Sequence, residues 1–119
     1  MEIKTHHLKD AKIAELVGEG ILIKSPEDGS DLLGNLYYQD FDKIIIHEPN
    51  ISSAFFDLKT GIAGEILQKF SNYRVRLAIV GDFDKYKSKS LKDFIFESNK
   101  NRKINFVSSL PEALNILST

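Results

Sequence analysis

The sequence predicts an α/β fold, a small sandwich built on a mixed, mostly parallel β-sheet with an N-terminal β-hairpin and about four helices. Three observations carry this. Lys43–His47 (KIIIH) and Val75–Val80 (VRLAIV) are short apolar runs of the kind found in strands covered on both faces. Segments with apolar residues at helical spacing alternate with them. Strands that alternate with helices of about ten residues are joined by right-handed crossovers and lie parallel.

The elements follow in chain order. Ala11–Val17 (AKIAELV) and Ile21–Ile23 flank Gly18-Glu19-Gly20, which predicts a hairpin around a Gly-bearing turn. Met1–His7 adds an edge strand before it. Ser25-Pro26-Glu27-Asp28 starts a helix: Ser25 caps, Pro26 suits the first helical position and Asp28 occupies the capping-box position. This helix ends near Tyr38 and is expected to bury Leu32, Leu33, Leu36 and Tyr37. The strand Lys43–His47 is closed by Glu48-Pro49-Asn50. Thr60–Phe70 is the next helix, with Thr60 as cap and Ile62, Ala63, Ile66, Leu67 and Phe70 at helical spacing. Val75–Val80 is ended by Gly81-Asp82. Ser90–Asn99 is a helix burying Leu91, Phe94 and Ile95, and Ile104–Val107 is the last strand. Ser109-Leu110-Pro111-Glu112 has capping-box spacing and opens a closing helix that buries Ala113, Leu114 and Leu117.

The 119 residues fit one domain spanning 1–119, without repeats, low-complexity tracts or linkers. The chain has no Cys, which removes disulfides, a thiolate nucleophile and cysteine metal sites. A formal charge of -1 exerts no overall pull on nucleic acid or an anionic membrane. No apolar run approaches a transmembrane length, and MEIKTHHLKD contains no signal-peptide core. A cytoplasmic domain is expected, with no cofactor, no nucleic acid and no membrane as partner. The small total hides an asymmetry. Residues 1–59 hold 6 basic and 11 acidic side chains, and residues 60–119 hold 10 and 6. Such a split favours self-association or a charged partner.

Two resemblances can be stated. Phe55–Phe83 (FFDLKTGIAGEILQKFSNYRVRLAIVGDF), Ser88–Asn99 (SKSLKDFIFESN) and Ile104–Leu114 (INFVSSLPEAL) resemble a bacterial family known only as a domain of unknown function. That likeness covers nearly the whole chain and implies no activity. The order of elements also resembles, more distantly, the STAS domain of sulphate transporters and anti-sigma-factor antagonists. There a central strand leads to an Asp-Ser-Ser-Gly turn that opens a helix. Here Lys43–His47 stands for that strand, Asp57-Leu58-Lys59-Thr60-Gly61 for the turn, and Ser109–Leu114 matches the closing segment. Ten residues, Glu48 to Asp57, intervene where the STAS pattern has a few, and Thr60 is the only hydroxyl beside the Gly. The resemblance implies a STAS-like fold and makes Thr60 the candidate phosphorylation site.

The candidate binding residues form two groups. Asp57, Lys59, Thr60 and Gly61 open a helix whose free N–H groups and dipole suit an anion or a phosphate. The plainer role of Thr60 is that of a helix cap. Asp82, Phe83, Lys85 and Tyr86 belong to the longest polar loop, which mixes aromatic and lysine side chains at the same sheet edge. Gly61 and Gly64 lack the rest of a nucleotide fingerprint and predict close packing of the helix on the sheet. His47 and Glu48, with Asp57 and Asp82, are candidates for a carboxylate cluster that holds a metal or transfers protons, whereas His6 and His7 are expected in solvent. Phe55 and Phe56 suggest an exposed apolar patch, and one of Phe94 and Phe96 must face outward. No residue set completes a catalytic constellation. The expected function is a non-enzymatic regulatory or interaction domain that binds another protein or a second copy of itself. The alternative is a phosphate- or nucleotide-binding domain near Thr60, and the third reading is a small enzyme using Glu48, Asp57 and Asp82.

Overall fold

A computed structural model describes residues 1–119. Five strands, β1 (Glu2–Leu8), β2 (Ala11–Val17), β3 (Lys43–His47), β4 (Arg76–Val80) and β5 (Ile104–Val107), form one sheet in the order β1-β2-β3-β4-β5. β1 is antiparallel to β2, and the other neighbours are parallel. Four α-helices connect or follow them: α1 (Pro26–Tyr38), α2 (Ile62–Asn72), α3 (Lys89–Asn101) and α4 (Leu110–Leu117). The expected α/β class, mixed sheet, N-terminal hairpin and four helices are all present.

Alternation along the strands divides the core. Ala14, Leu16, Ile44, Ile46, Leu77, Ile79 and Phe106 face α1, α2 and α3, which close over them with Leu33, Leu36, Ile66, Phe70 and Leu91. Ile13, Ile45, Ala78, Val80 and Val107 face the other way and meet Ala113 and Leu117 of α4. One face thus carries three helices and the other a single two-turn helix. α1 and α2 touch at Gly29, where a Cβ would lie 2.9 Å from Ile66 Cγ1.

The capping expectations for α1 and α4 hold. Ser25 Oγ accepts from Asp28 N at 3.2 Å, and Asp28 Oδ2 accepts from Lys24 N at 2.9 Å. Ser109 Oγ accepts from Glu112 N, and Glu112 Oε1 accepts from Ser108 N. In both cases the acid reaches the residue before the cap, a displaced form of the capping box.

The hairpin is placed differently. β2 pairs with β1 through the two-residue turn Lys9-Asp10, not with Ile21–Ile23 through Gly18-Glu19-Gly20. β2 already has β1 on one side and β3 on the other, so Ile21–Ile23 finds no free edge. It forms instead a single parallel bridge to Ile51, and Asn50 clamps the Gly turn by donating to the carbonyls of Gly18 and Gly20. α2 begins at Ile62 rather than Thr60, because Leu58–Thr60 is spent in a 3-10 turn that Gly61 (φ +77°) ends. Phe55 and Phe56 are buried, not exposed, since 3-10 turns at Glu48–Asn50 and Ser53–Phe56 fold that excursion onto the core. Tyr37, expected inside, is half exposed, and Phe96 is the outward member of its pair. Gly64 faces open space, so no close helix–sheet approach explains it.

Candidate functional site

Because β3, β4 and β5 are parallel and adjacent, their carboxyl ends lie side by side. In open α/β sheets this is the edge where sites form. Glu48 follows β3 directly and is only 6% exposed. Its Oε2 accepts from Tyr86 Oη at 2.8 Å and pairs with Lys85 Nζ at 2.7 Å. Gly81, at the end of β4, permits this: a Cβ there would stand 2.4 Å from Glu48 Cβ. Burial, the hydrogen bond to Glu48 and that carboxylate's charge push the Tyr86 phenol well above its ordinary value. The phenol is therefore a fixed donor, not a base.

Aromatic contacts join the two predicted groups. Phe56 stacks on Tyr86 with ring centroids 4.9 Å apart and lies 6.0 Å from Phe83. Phe83 in turn stacks on Phe106 of β5 at 5.3 Å. Asp57 follows Phe56 immediately, so the loop carrying Asp82, Phe83, Lys85 and Tyr86 and the turn carrying Asp57, Lys59, Thr60 and Gly61 share one aromatic anchor. Asp57, Lys59, Thr60, Gly61, Asp82 and Lys85 are exposed, while Phe83 and Tyr86 are half-buried.

The polar atoms of the first group are largely engaged by their own backbone. Asp57 Oδ1 accepts from Lys59 N. Thr60 Oγ1 lies within donating distance of the Ala54 and Asp57 carbonyls and accepts from Ile62 N at 3.2 Å. Thr60 thus caps from outside the helix and uses one of the N–H groups that an anion would need. Asp82 Oδ1 likewise accepts from Asp84 N. Glu48, Asp57 and Asp82 therefore do three separate local tasks, and no three His, Asp or Glu side chains gather to hold a metal ion.

Two clefts flank the loop. One, of about 490 Å³, opens above Glu48 and Tyr86 between Ile21, Pro49, Ser52 and Lys85. The other, of about 450 Å³, lies between Phe83, Ile95 and Ser108 and is edged by Asp82, Asp84 and Glu112.

A second polar cluster escaped the sequence reading. Glu15 stands in the middle of β2, 5% exposed, on the sheet face that α4 covers only in part. Its carboxylate binds His6 Nε2 of β1 at 2.8 Å through one oxygen and His47 Nε2 of β3 at 2.7 Å through the other. His6 is consequently half-buried, whereas His7 is exposed. Burial pushes the Glu15 carboxyl up, but the hydrogen bonds and positive charge supplied by His47 and His6 outweigh it and hold the acid below its ordinary value. The one signal in the sequence was an acid inside a mostly apolar run. The bridge ties three neighbouring strands together. His6 is paired opposite Ile13, and His47 lies two residues past Ile45, the partner of Glu15, so the imidazoles approach from opposite diagonals.

Fold and edge together define an α/β domain whose exposed polar loops gather at the carboxyl ends of parallel strands. The chain belongs to the family described as domain of unknown function DUF4180, whose model matches residues 8–117. No curated protein and no solved structure matches it.

Proposed function

We propose that this chain is a non-enzymatic regulatory or protein-interaction domain of STAS-like architecture, working in the bacterial cytoplasm. Its contact surface is the carboxyl edge of the sheet, made of Asp57–Gly61 and Asp82–Tyr86. The observation that carries the reading is the anchor beneath that edge. Glu48, Tyr86, Phe56 and Phe83 hold both loops rigidly from below, while Asp57, Lys59, Asp82 and Lys85 remain exposed. A surface ordered in advance loses less entropy when a partner binds. The STAS-like assignment is supported by the N-terminal hairpin, the alternating strand–helix order and the turn at Leu58–Thr60 that leads into α2. The phosphate-binding alternative near Thr60 gains no support from a hydroxyl already committed to backbone partners.

The test is site-specific photo-crosslinking in the native host. A photoreactive residue placed at Lys87 should capture one discrete protein. The double reversal Lys59→Glu with Asp82→Lys should abolish capture while the variant still unfolds cooperatively as a folded chain. Capture that survives the reversal, or that occurs only from positions far from this edge, would sink the reading.

A further inference from the structure

The opposite, amino-terminal edge of the sheet has an unusual composition. Five non-glycine residues adopt left-handed backbone: Lys9, Asp10, Asp40, Arg74 and Arg102, with φ between 48° and 69°. All five lie in the turns that lead into β2, β3, β4 and β5, and all five are charged. Glycine or asparagine is the ordinary choice for that conformation, above all just after a helix. Asp40 is doubly disfavoured locally, because it also stands beyond the carboxyl end of α1, where the helix dipole repels an anion. The dipole favours Arg74 and Arg102 beyond α2 and α3, and Asp10 suits a two-residue hairpin turn, so Asp40 is the residue that local structure leaves unexplained. An outlier of this kind points toward a use beyond folding.

Apart from Lys9, their signs are sorted in space. Strand order follows chain order, so the turns line up along the edge as they occur in the sequence. Asp10, Asp40 and Asp42 stand at the β2–β3 end and edge a cleft of about 440 Å³, where the two lysines that also line it are already engaged, Lys43 by Asp42 and Lys12 by the Gln39 carbonyl and the Phe41 ring. Arg74, Arg76 and Lys103 stand at the β4–β5 end and line, with Ser71, a cleft of about 460 Å³ that no acid enters. The Arg76 guanidinium is committed to the carbonyls of Arg102, Ile116 and Thr119, and exposed Asp42 pairs with half-buried Lys43. Asp10, Asp40, Arg74, Arg102 and Lys103 have no ion-pair partner within the chain. Beside this edge, where α1 and α2 end, three tyrosines are exposed. Tyr37 and Tyr73 meet edge-to-face with ring centroids 5.2 Å apart, and the neighbouring Tyr38 is 89% exposed. Tyr37 also walls the acidic cleft, and Tyr73 immediately precedes Arg74, so the aromatic group sits between the two charge signs.

We propose that this edge is a self-complementary interface for a second copy of the chain. A two-fold axis near the tyrosines would set the Arg74–Lys103 flank of one protomer against the Asp10–Asp42 flank of its partner, twice over. Isologous pairing requires one patch that complements itself after rotation, and a patch acidic at one end and basic at the other does so. Tyrosine and arginine are also the residues that concentrate binding energy at such contacts. A free anion would use only the basic cleft and leave the acids and tyrosines without a role. The proposal is independent of the contact surface at the carboxyl edge, since the two lie at opposite ends of the strands.

The test is sedimentation equilibrium of the full chain over a range of protein and salt concentrations. The wild type should dimerise, with the dissociation constant rising about tenfold or more as screening shortens from about 10 Å at 0.1 M salt toward about 3 Å at 1 M. Asp40→Lys with Asp42→Lys should be monomeric, and so should Arg74→Glu with Lys103→Glu. Mixing these two variants should restore a dimer, because a predominantly basic edge then meets a predominantly acidic one. Tyr38→Ser changes a side chain that lies almost wholly in solvent, and it should weaken the wild-type dimer without loss of melting temperature. A wild type that stays monomeric, a dimer that persists in both reversals, or folded reversal variants that fail to associate when mixed would each overturn the proposal.

Discussion

Gly81 and Glu48 occupy a space that admits one side chain, with a Cβ at Gly81 meeting Glu48 Cβ at 2.4 Å. Gly81→Ala should cost about 1–3 kcal/mol, the usual range for forced overpacking. The double variant Gly81→Ala with Glu48→Gly, which removes the opposing Cβ, should cost less than the sum of the two single changes, read by urea denaturation. Tyr86→Phe removes one of the two groups that hold the Glu48 carboxylate, and should cost about 1–3 kcal/mol. It should also change the alkaline limb. A phenol in the unfolded chain ionises near 10.0, whereas folded Tyr86 holds its proton to higher pH. The stabilisation is full below pH 10 and is lost as the pH rises toward the folded value, so Tyr86→Phe should flatten that loss. Glu15 behaves in the opposite sense. Its folded pKa lies below the ordinary 4.5, so the His6–Glu15–His47 bridge stabilises fully above that pH and fails as the pH falls through the folded value. Glu15→Gln should lower the melting temperature at neutral pH and flatten the acid limb of the melting curve. Glu48 was legible in the sequence because it ends a strand. Glu15 was not, because one strand read alone does not reveal which imidazoles its neighbours will bring.

At the scale of elements, segments with a strong period were the ones the sequence disclosed. β3 and β5 have the predicted bounds, and α1 and α4 start at their predicted caps. The hairpin was misplaced because β1 (EIKTHHL) is an edge strand with too few apolar residues to show alternation, and its turn is Lys-Asp rather than Asn-Gly. The start of α2 was hidden for a related reason: Thr60 has the chemistry of a cap but spends it one turn early. α4 is the element whose cap matters most, because it alone covers its face of the sheet with eight residues. Ser109→Ala should cost about 1 kcal/mol. The loss should appear first as faster amide exchange in α4 and at the β4 and β5 residues beneath it.

For the whole molecule, the decisive property is that sequence order is spatial order. The fold class could be read because every strand–helix unit adds to the growing side of the sheet by a short crossover. The charge split between the chain's two halves was visible as arithmetic, but its meaning was not. Only sequential strand order turns a difference between residues 1–59 and 60–119 into a gradient across one edge. The aromatic anchor of the carboxyl edge was equally invisible, since Phe56, Phe83 with Tyr86, and Phe106 come together from three separate segments.

The same strand order bears on how the chain is made. As it leaves the ribosome, each new strand finds its neighbour already synthesised, and no gap has to be kept open for a later arrival. β2 closes on β1, β3 adds beside β2, and each helix lands on strands that already exist. Contacts that can form between recent neighbours are the ones that close fastest. The nascent sheet therefore extends in one direction, with a single advancing edge to protect at every length, until α4 seals the far face last.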